Sequence, residues 1–251
     1  MMGKIVRNRA WIPDQHGAWV MVFLPFTLGV IIARPHLIHL PLLIAWLVGY
    51  FCFFAASLWI KARPNRKAQY LPALITYASI SAVAVLITVW LNPQLMWFGI
   101  LFAPLVVVAA WEAIKHRPRS LISGLATVLA SALMLPVTVA AAGADPWSVW
   151  ARTLLVALYF CGTIPYVKTL IRNRQDPAWL QGSVGFHAVA VFIVAKLAWN
   201  QLVSWWALPL FLAYGLRAWW IPTMNRKWRP KQIGIGEMFA SAALAAVVLV
   251  S

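Results

Sequence analysis

The chain has 251 residues, of which 63% are hydrophobic and only 10% are charged. Soluble domains carry about 25% charged residues, so this composition excludes an ordinary soluble domain and indicates an integral membrane protein. The formal net charge is +16, but the basic residues form short clusters between long apolar segments, so nucleic acid is not an expected partner. Cys52 and Cys161 are isolated in apolar segments and indicate neither a disulfide framework nor a metal site.

Nine apolar segments are long enough to cross a bilayer, for which an α-helix needs about 20 residues. They cover residues 17–34, 39–60, 71–91, 95–113, 121–143, 147–167, 184–199, 202–221 and 233–250, and the seventh is the shortest. Turn-forming pairs such as Asn92-Pro93 and Asp176-Pro177 separate them. The sequence therefore predicts an all-α polytopic membrane protein, with residues 1–251 forming a single transmembrane helical domain.

Lysine and arginine alternate between the two predicted sides of the membrane. Of the 21 basic residues, 18 lie at the N-terminus and near every second connection, and only Arg34, Arg152 and Lys196 lie on the other side. Because loops rich in Lys and Arg stay in the cytoplasm, we expect the N-terminus inside and the C-terminus outside. A missed or extra span would break the alternation, so the same distribution supports nine spans.

The second and sixth predicted spans end alike, with an aromatic residue, a β-branched residue and a lysine. Trp59-Ile60-Lys61 ends the second span and Tyr166-Val167-Lys168 ends the sixth. If these ends face each other, they form a cytoplasm-facing cationic cavity suited to phosphate, diphosphate or carboxylate. The alternative is that they only anchor the helices at lipid phosphates. The candidate ligand-binding residues are Lys61, Arg63, Arg66, Lys168, Arg172 and Arg174.

Few other ionisable side chains lie in or beside the spans. His16, Glu112 and His187 are candidates for proton transfer; the alternatives are helix capping, a structural ion pair and a hydrogen bond to a carbonyl. Glu237 lies at the start of the ninth span and Arg217 lies inside the eighth, so we expect a buried structural ion pair between them. No two acidic residues lie close enough in sequence to suggest a metal site.

Several segments resemble the YwiC-like family of bacterial membrane proteins. They are Pro13-x-Gln15-His16-Gly17-Ala18-Trp19 followed by Leu24-Pro25, then Tyr166-Val167-Lys168-x-x-x-Arg172-x-Arg174, His187, Arg217-Ala218, Arg229-Pro230, Gly234 and Glu237. These segments are spread along nearly the whole chain. The resemblance implies a multi-pass protein of the bacterial cytoplasmic (inner) membrane, and it brings no activity with it.

The predicted architecture also resembles, more distantly, the UbiA-type intramembrane prenyltransferases. These enzymes have nine helices, the same orientation, and active-site motifs after the second and sixth helices. Their Asp-rich motifs bind magnesium and diphosphate, whereas the corresponding positions in this sequence are basic. The resemblance implies a UbiA-like bundle, and the departure from the motif means that we do not expect a magnesium cofactor.

These patterns lead to one main functional hypothesis and two alternatives. The main hypothesis is that the protein binds an anionic or isoprenoid amphiphile, such as a polyprenyl phosphate or a quinone precursor, with catalysis left open. The first alternative is a small-anion transporter or channel gated by Arg217 and Glu237. The second is a non-catalytic scaffold or assembly partner. Membrane lipid is the partner that the composition itself implies.

Reporter fusions along the chain test the orientation. Fusions after residues 67, 119 and 174 are expected to report the cytoplasm, because they follow basic connections. Fusions after residues 36, 93, 146 and 251 are expected to report the outside. A cytoplasmic report after residue 251 would contradict nine spans, with the short seventh segment as the first place to look.

Overall fold

The computed structural model describes residues 11–13, 16–117, 120–174, 176–224 and 226–251, except for the side chains of residues 16–18. The described residues form ten α-helices and two short 3₁₀ helices and contain no β-strand, so the predicted all-α fold is confirmed. The α-helices are α1 (His16–Ala33), α2 (His39–Lys61), α3 (Pro64–Lys67), α4 (Leu71–Leu91), α5 (Phe98–Ile114), α6 (Leu121–Ala141), α7 (Trp150–Ile171), α8 (Pro177–Trp199), α9 (Ala207–Thr223) and α10 (Pro230–Leu249). The 3₁₀ helices, Pro93–Trp97 and Pro146–Val149, directly precede α5 and α7.

Side chains that accept hydrogen bonds from the first turn determine where several helices begin. The side chain of Ser120 accepts from the backbone N–H of Ser123 at 3.0 Å, ahead of α6. Asp145 caps the 3₁₀ helix before α7, accepting from the backbone N–H of Trp147 at 3.0 Å. Each cap satisfies a backbone donor that has no partner within its own helix.

Helix α8 is longer than the sequence indicated. The predicted span began at residue 184, whereas α8 begins at Pro177 and has 23 residues. Polar and glycine residues at 181–183 lower the local hydropathy, which is why the apolar segment starts later than the helix. Asp176 accepts a hydrogen bond from the backbone N–H of Ala178 at 3.0 Å, and Pro177 suits the first turn, so together they start the helix earlier.

Seven helical segments in the described part of the chain are long and apolar enough to cross a bilayer, counting each 3₁₀ helix with the α-helix that follows it. Helix α1 adds a shorter apolar stretch, Trp19–Ala33, and α9 has 17 residues. A helix of about 17 residues is at the lower limit for crossing the hydrocarbon core. The chain is therefore a multi-pass membrane protein. The number of nine transmembrane spans and the orientation of the chain stay predictions.

The bundle is organised around α6 and α7, which pack against each other. Helix α6 also packs against α1 and α5, and α7 packs against α8 and contacts α9 and α10. In α6 and α7, 61% and 56% of the most apolar stretch is buried, against 11% in α2, α4 and α5. The fully buried side chains of Leu135, Leu155 and Val156 lie at the centre. Helices α6 and α7 therefore form the core.

The outer helices present large apolar side chains away from the core. Leu86 and Trp90 in α4 and Val107 in α5 are each more than half exposed. Such surfaces suit lipid chains, which offer apolar contact and need no hydrogen bonds. Membrane lipid is therefore a contact partner of this protein.

A close approach joins α1 to α6. A Cβ added at Gly29 would overlap Thr138 Oγ1 and would lie 2.7 Å from the backbone oxygen of Leu135. Thr138 is fully buried, and its backbone oxygen is 3.0 Å from Nε2 of the buried His39 in α2. Glycine at position 29 therefore permits backbone contact at the place where three helices meet.

Replacing Gly29 is expected to destabilise the bundle. The Gly29→Ala methyl group must displace the α6 backbone, and overpacking of this kind costs about 1–3 kcal/mol. Gly99→Ala in α5 is the matched control, because a Cβ there meets no atom within 4 Å. Thermal unfolding in detergent should show a lower midpoint for Gly29→Ala only. Equal midpoints for the two variants would show that α1 and α6 are farther apart than described.

Candidate functional site

An ion pair links α9 to α10 inside the bundle. Arg217 Nη1 lies 2.7 Å from Glu237 Oε1, and each side chain is 16% exposed. Elsewhere in the described residues there is no ion pair between side chains. The two residues that the sequence suggested as partners therefore lie together. Arg217 is about two turns before the end of α9, and Glu237 is about two turns after the start of α10.

Helix α7 completes the surroundings of this pair. The Tyr159 hydroxyl lies 2.9 Å from Glu237 Oε2 and 3.0 Å from Ser241 Oγ, and the Thr163 hydroxyl lies 3.3 Å from the same Oε2. Both carboxylate oxygens of Glu237 therefore have partners. Such a carboxylate is held in place by its neighbours, which favours a structural role.

Aromatic rings cover the guanidinium group of Arg217. Its Cζ is 4.4 Å from the ring centre of Tyr166 and 5.3 Å from that of Tyr214. Arg217 Nε is buried without a hydrogen-bond partner, and the negative face of an aromatic ring offers a cation partial compensation for that loss. The sequence patterns did not single out Tyr159 and Thr163 as part of this site. Thr163 follows Tyr159 by four residues and Tyr166 follows Thr163 by three, which puts all three on one helix face. This spacing was the signal that the sequence offered.

His187, one of the three candidates for proton transfer, is a buried packing residue in α8. Its Nδ1 is 2.8 Å from the backbone oxygen of Ser183, one turn earlier. A Cβ at Gly162 in α7 would lie 3.0 Å from His187 Nε2, and one at Gly215 in α9 would lie 3.7 Å from His187 Cβ. The ring thus packs against Gly162 and the Cβ of His187 lies against Gly215, so glycines on two neighbouring helices make room for this side chain.

The other two candidates for proton transfer lie elsewhere. Glu112 is half-buried near the end of α5 and forms no ion pair within the described part of the chain. His16 begins α1, and its side chain is outside the described residues. Helices α5 and α8 do not pack against each other, so the structure does not assemble Glu112 and His187 into one site. A catalytic role for these three residues stays a prediction.

The two basic helix ends belong to helices that do not pack against each other. Helix α2, which ends at Lys61, packs mainly against α4, whereas α7, which carries Lys168, packs against α6 and α8. Helices α2 and α7 do not lie side by side, so Arg63 and Arg66 belong to a different part of the bundle from Arg172. Direct packing of α2 against α7 is therefore not found, and one shared mouth stays a prediction. Similar sequences at two helix ends reflect the same position relative to the membrane surface and do not make the helices neighbours.

Each basic end has its own local contacts. At the end of α2, Lys67 Nζ lies 4.4 Å from the Trp59 ring centre. Beyond α7, Arg174 Nη2 donates a hydrogen bond to the backbone oxygen of Arg226 at 2.9 Å. The α7 end is therefore tied to the segment between α9 and α10.

A groove of about 330 Å³, which we call the basic-end groove, opens between α6, α7 and α8. Its lining is mainly apolar and includes Leu121, Leu125, Cys161, Pro165, Trp179 and Gly182. Lys168, one turn beyond Pro165, places Nζ 4.6 Å from the ring centre of Trp179. An ammonium group thus lies at one end of an apolar groove. Within the described residues, no three His, Cys, Asp or Glu side chains form a metal-binding group.

Breaking the Arg217–Glu237 pair is expected to destabilise the protein. Either Arg217→Gln or Glu237→Gln leaves an uncompensated charge inside the bundle, which costs about 3–5 kcal/mol. The double variant should cost clearly less than the two single changes together, because their effects are coupled. Arg152→Gln in α7 is the control, since Arg152 forms no ion pair with any residue that the structure describes. Unfolding free energies in detergent give the comparison, and additive losses would rule out the coupling.

Comparison with known proteins places the chain in a family. Residues 12–139, just over half of the chain, match the family described as YwiC-like protein. The uncharacterised protein YwiC of Bacillus subtilis is 31% identical, with 96% of this chain and 97% of that protein covered. An uncharacterised protein of Haemophilus influenzae is 30% identical, with 96% and 98% covered. No solved structure matches. With its apolar helices and bacterial relatives, this multi-pass membrane protein belongs to the YwiC-like family.

Proposed function

We propose that this protein binds an anionic amphiphile in the basic-end groove between α6, α7 and α8. The observation that carries the proposal is the position of Lys168 beside Trp179, at the end of an apolar groove. An amphiphile with one anionic group and an apolar chain matches that arrangement. The proposal takes in no catalytic step.

The groove suits the apolar part of such a ligand. Leu121, Leu125 and Pro165 supply aliphatic surface, and Trp179 supplies a large ring. A Cβ at Gly182 would meet no atom within 4 Å, so the glycine leaves open space in the wall. The groove lies on the outside of α6 and α7, so a lipid chain has access to it from the membrane.

The basic end suits the anionic part. Lys168 is half-buried, and Arg172 follows it after one turn on the same face of the chain and is exposed. An ammonium and a guanidinium group so spaced can hold a phosphate from two sides. Under the positive-inside rule this end faces the cytoplasm, so the headgroup would lie at the inner surface of the cytoplasmic (inner) membrane. Neither contact needs a magnesium ion.

The anion-channel alternative receives less support from the same contacts. A gate for anions needs a cation that is free to exchange partners along a path. The Arg217 guanidinium is bound to Glu237 and covered by Tyr166, so a passing anion would have to displace a carboxylate. Amphiphile binding needs no such rearrangement.

Ligand-induced stabilisation tests the proposal with geranylgeranyl diphosphate. At a hundredfold excess over its dissociation constant, a ligand that binds only the folded state stabilises by about 2.7 kcal/mol. We expect this rise in thermal stability in detergent, with or without magnesium. Geranylgeraniol, which lacks the anion, and inorganic diphosphate, which lacks the chain, should each have little effect.

Two matched variant pairs locate the site. Lys168→Gln should remove the stabilisation, whereas Lys196→Gln should keep it, because Lys196 contacts Phe192 at the opposite end of α8. Gly182→Leu should fill the groove, whereas Gly185→Leu should be silent, since a Cβ at Gly185 also meets no atom within 4 Å and Gly185 does not line the groove. Equal stabilisation of all four variants would exclude this groove as the site.

A further inference from the structure

A second groove lies on the outside of α6 and α7, nearer the opposite end of the bundle. It has a volume of about 360 Å³ and lies between α5, α6 and α7. Its lining includes Leu101, Leu129, Leu133, Trp150, Leu154 and Ala157. We call it the far-end groove.

The two grooves follow one another along one face of α7. Their α7 lining residues are spaced by three or four positions, which places them on a single helix face. In order from the far end to the basic end, they include Trp150, Leu154, Ala157, Cys161 and Pro165; Thr153, three positions after Trp150 and four before Ala157, lies on the same face. Lys168 continues this face by one further turn.

Helix α6 shows the matching pattern. Leu121 and Leu125 line the basic-end groove, and Leu129 and Leu133 line the far-end groove, each four residues after the last. About one helical turn separates the grooves on both helices. We call these two faces together the α6–α7 seam. The seam therefore forms one apolar track between α5 and α8.

The track is longer than one leaflet of a bilayer. Lys168 and Trp150 are 18 positions apart in α7, which corresponds to about 27 Å at 1.5 Å per residue. The hydrocarbon core is about 30 Å thick, so a lipid chain confined to one leaflet covers roughly 15 Å. One chain of that length would fill the basic-end groove and leave the far-end groove empty.

Charge distinguishes the two ends of the track. Neither groove has Lys, Arg or His in its lining, but Lys168 lies against Trp179 of the basic-end groove. Arg152, the basic residue of α7 nearest in sequence to the far-end lining, lies two positions after Trp150 and therefore on another face of the helix. A second anionic lipid from the other leaflet would have no cation in that lining to hold its headgroup. The far-end groove therefore suits the tail of a ligand whose headgroup lies at Lys168.

We infer that the α6–α7 seam holds one anionic lipid with a single chain longer than one leaflet, as in a long polyprenyl phosphate. The inference rests on the proposed function and narrows its ligand class. The anionic group lies at Lys168, and the chain runs past Cys161 and Ala157 into the far-end groove. The far-end groove therefore selects ligands by the length of their apolar chain.

The inference is tested by measuring the dissociation constants of two phosphates in lipid nanodiscs. Farnesyl phosphate has three isoprene units, and undecaprenyl phosphate has eleven. The longer chain gains packing contacts in the far-end groove, and we expect binding tighter on the order of tenfold. Ala157→Leu, which adds bulk to that groove, should remove the difference and leave farnesyl phosphate unaffected. Thr153→Leu, also in the lining, is a second variant if the first folds poorly.

Gly99→Leu is the matched control, because Gly99 in α5 is exposed and a Cβ there meets no atom within 4 Å. Equal affinity for the two phosphates, or a difference that persists in the far-end groove variants, would overturn the inference and leave the proposed function intact. Two phosphatidylglycerol molecules in native mass spectra, one lost in Gly182→Leu and one in Ala157→Leu, would also overturn it. No binding of either phosphate would refute both.

Discussion

Inside the hydrocarbon core no water is present to accept or donate hydrogen bonds, so each polar side chain that enters it must find its partners within the protein. The Glu237 carboxylate meets this requirement through Arg217, Tyr159 and Thr163. The carboxylate is on α10 and its partners are on α7 and α9, so satisfying one carboxylate fixes the relative position of three helices. Helix α8 packs against α7 and α9, two of these three helices.

Close packing is the second constraint, because apolar helices gain no hydrophobic free energy by leaving lipid for each other. Small residues supply the needed contact at specific points. Gly29 allows α1 to touch α6, and Gly162 receives the His187 ring of α8. Where the contact is incomplete, along the outside of α6 and α7, two grooves remain. The proposed ligand occupies this gap in the packing.

The proposed anion site lies in a different place from the one that the sequence suggested, but its chemistry is the same. The sequence suggested one cationic cavity between the ends of the second and sixth spans, but α2 and α7 lie in different parts of the bundle. None of Lys61, Arg63 and Arg66 lines the groove, whereas Lys168 lies beside it and Arg172 follows Lys168 after one turn. A headgroup site of two cations on one helix end suits a single phosphate better than the six-residue cavity did, because fewer like charges must be held together.

Most helical segments and the candidate ion pair can be predicted from the sequence alone. Apolar length specifies a spanning helix, and the scarcity of acids made Glu237 and Arg217 the natural partners. Sequence alone did not decide which helices are neighbours, because nearly every face of these helices is apolar and gives no preference. Tertiary packing decided that α6 and α7 form the core and that α2 lies with α4. The grooves arise from side chains of three helices at once, and so only the folded bundle contains them.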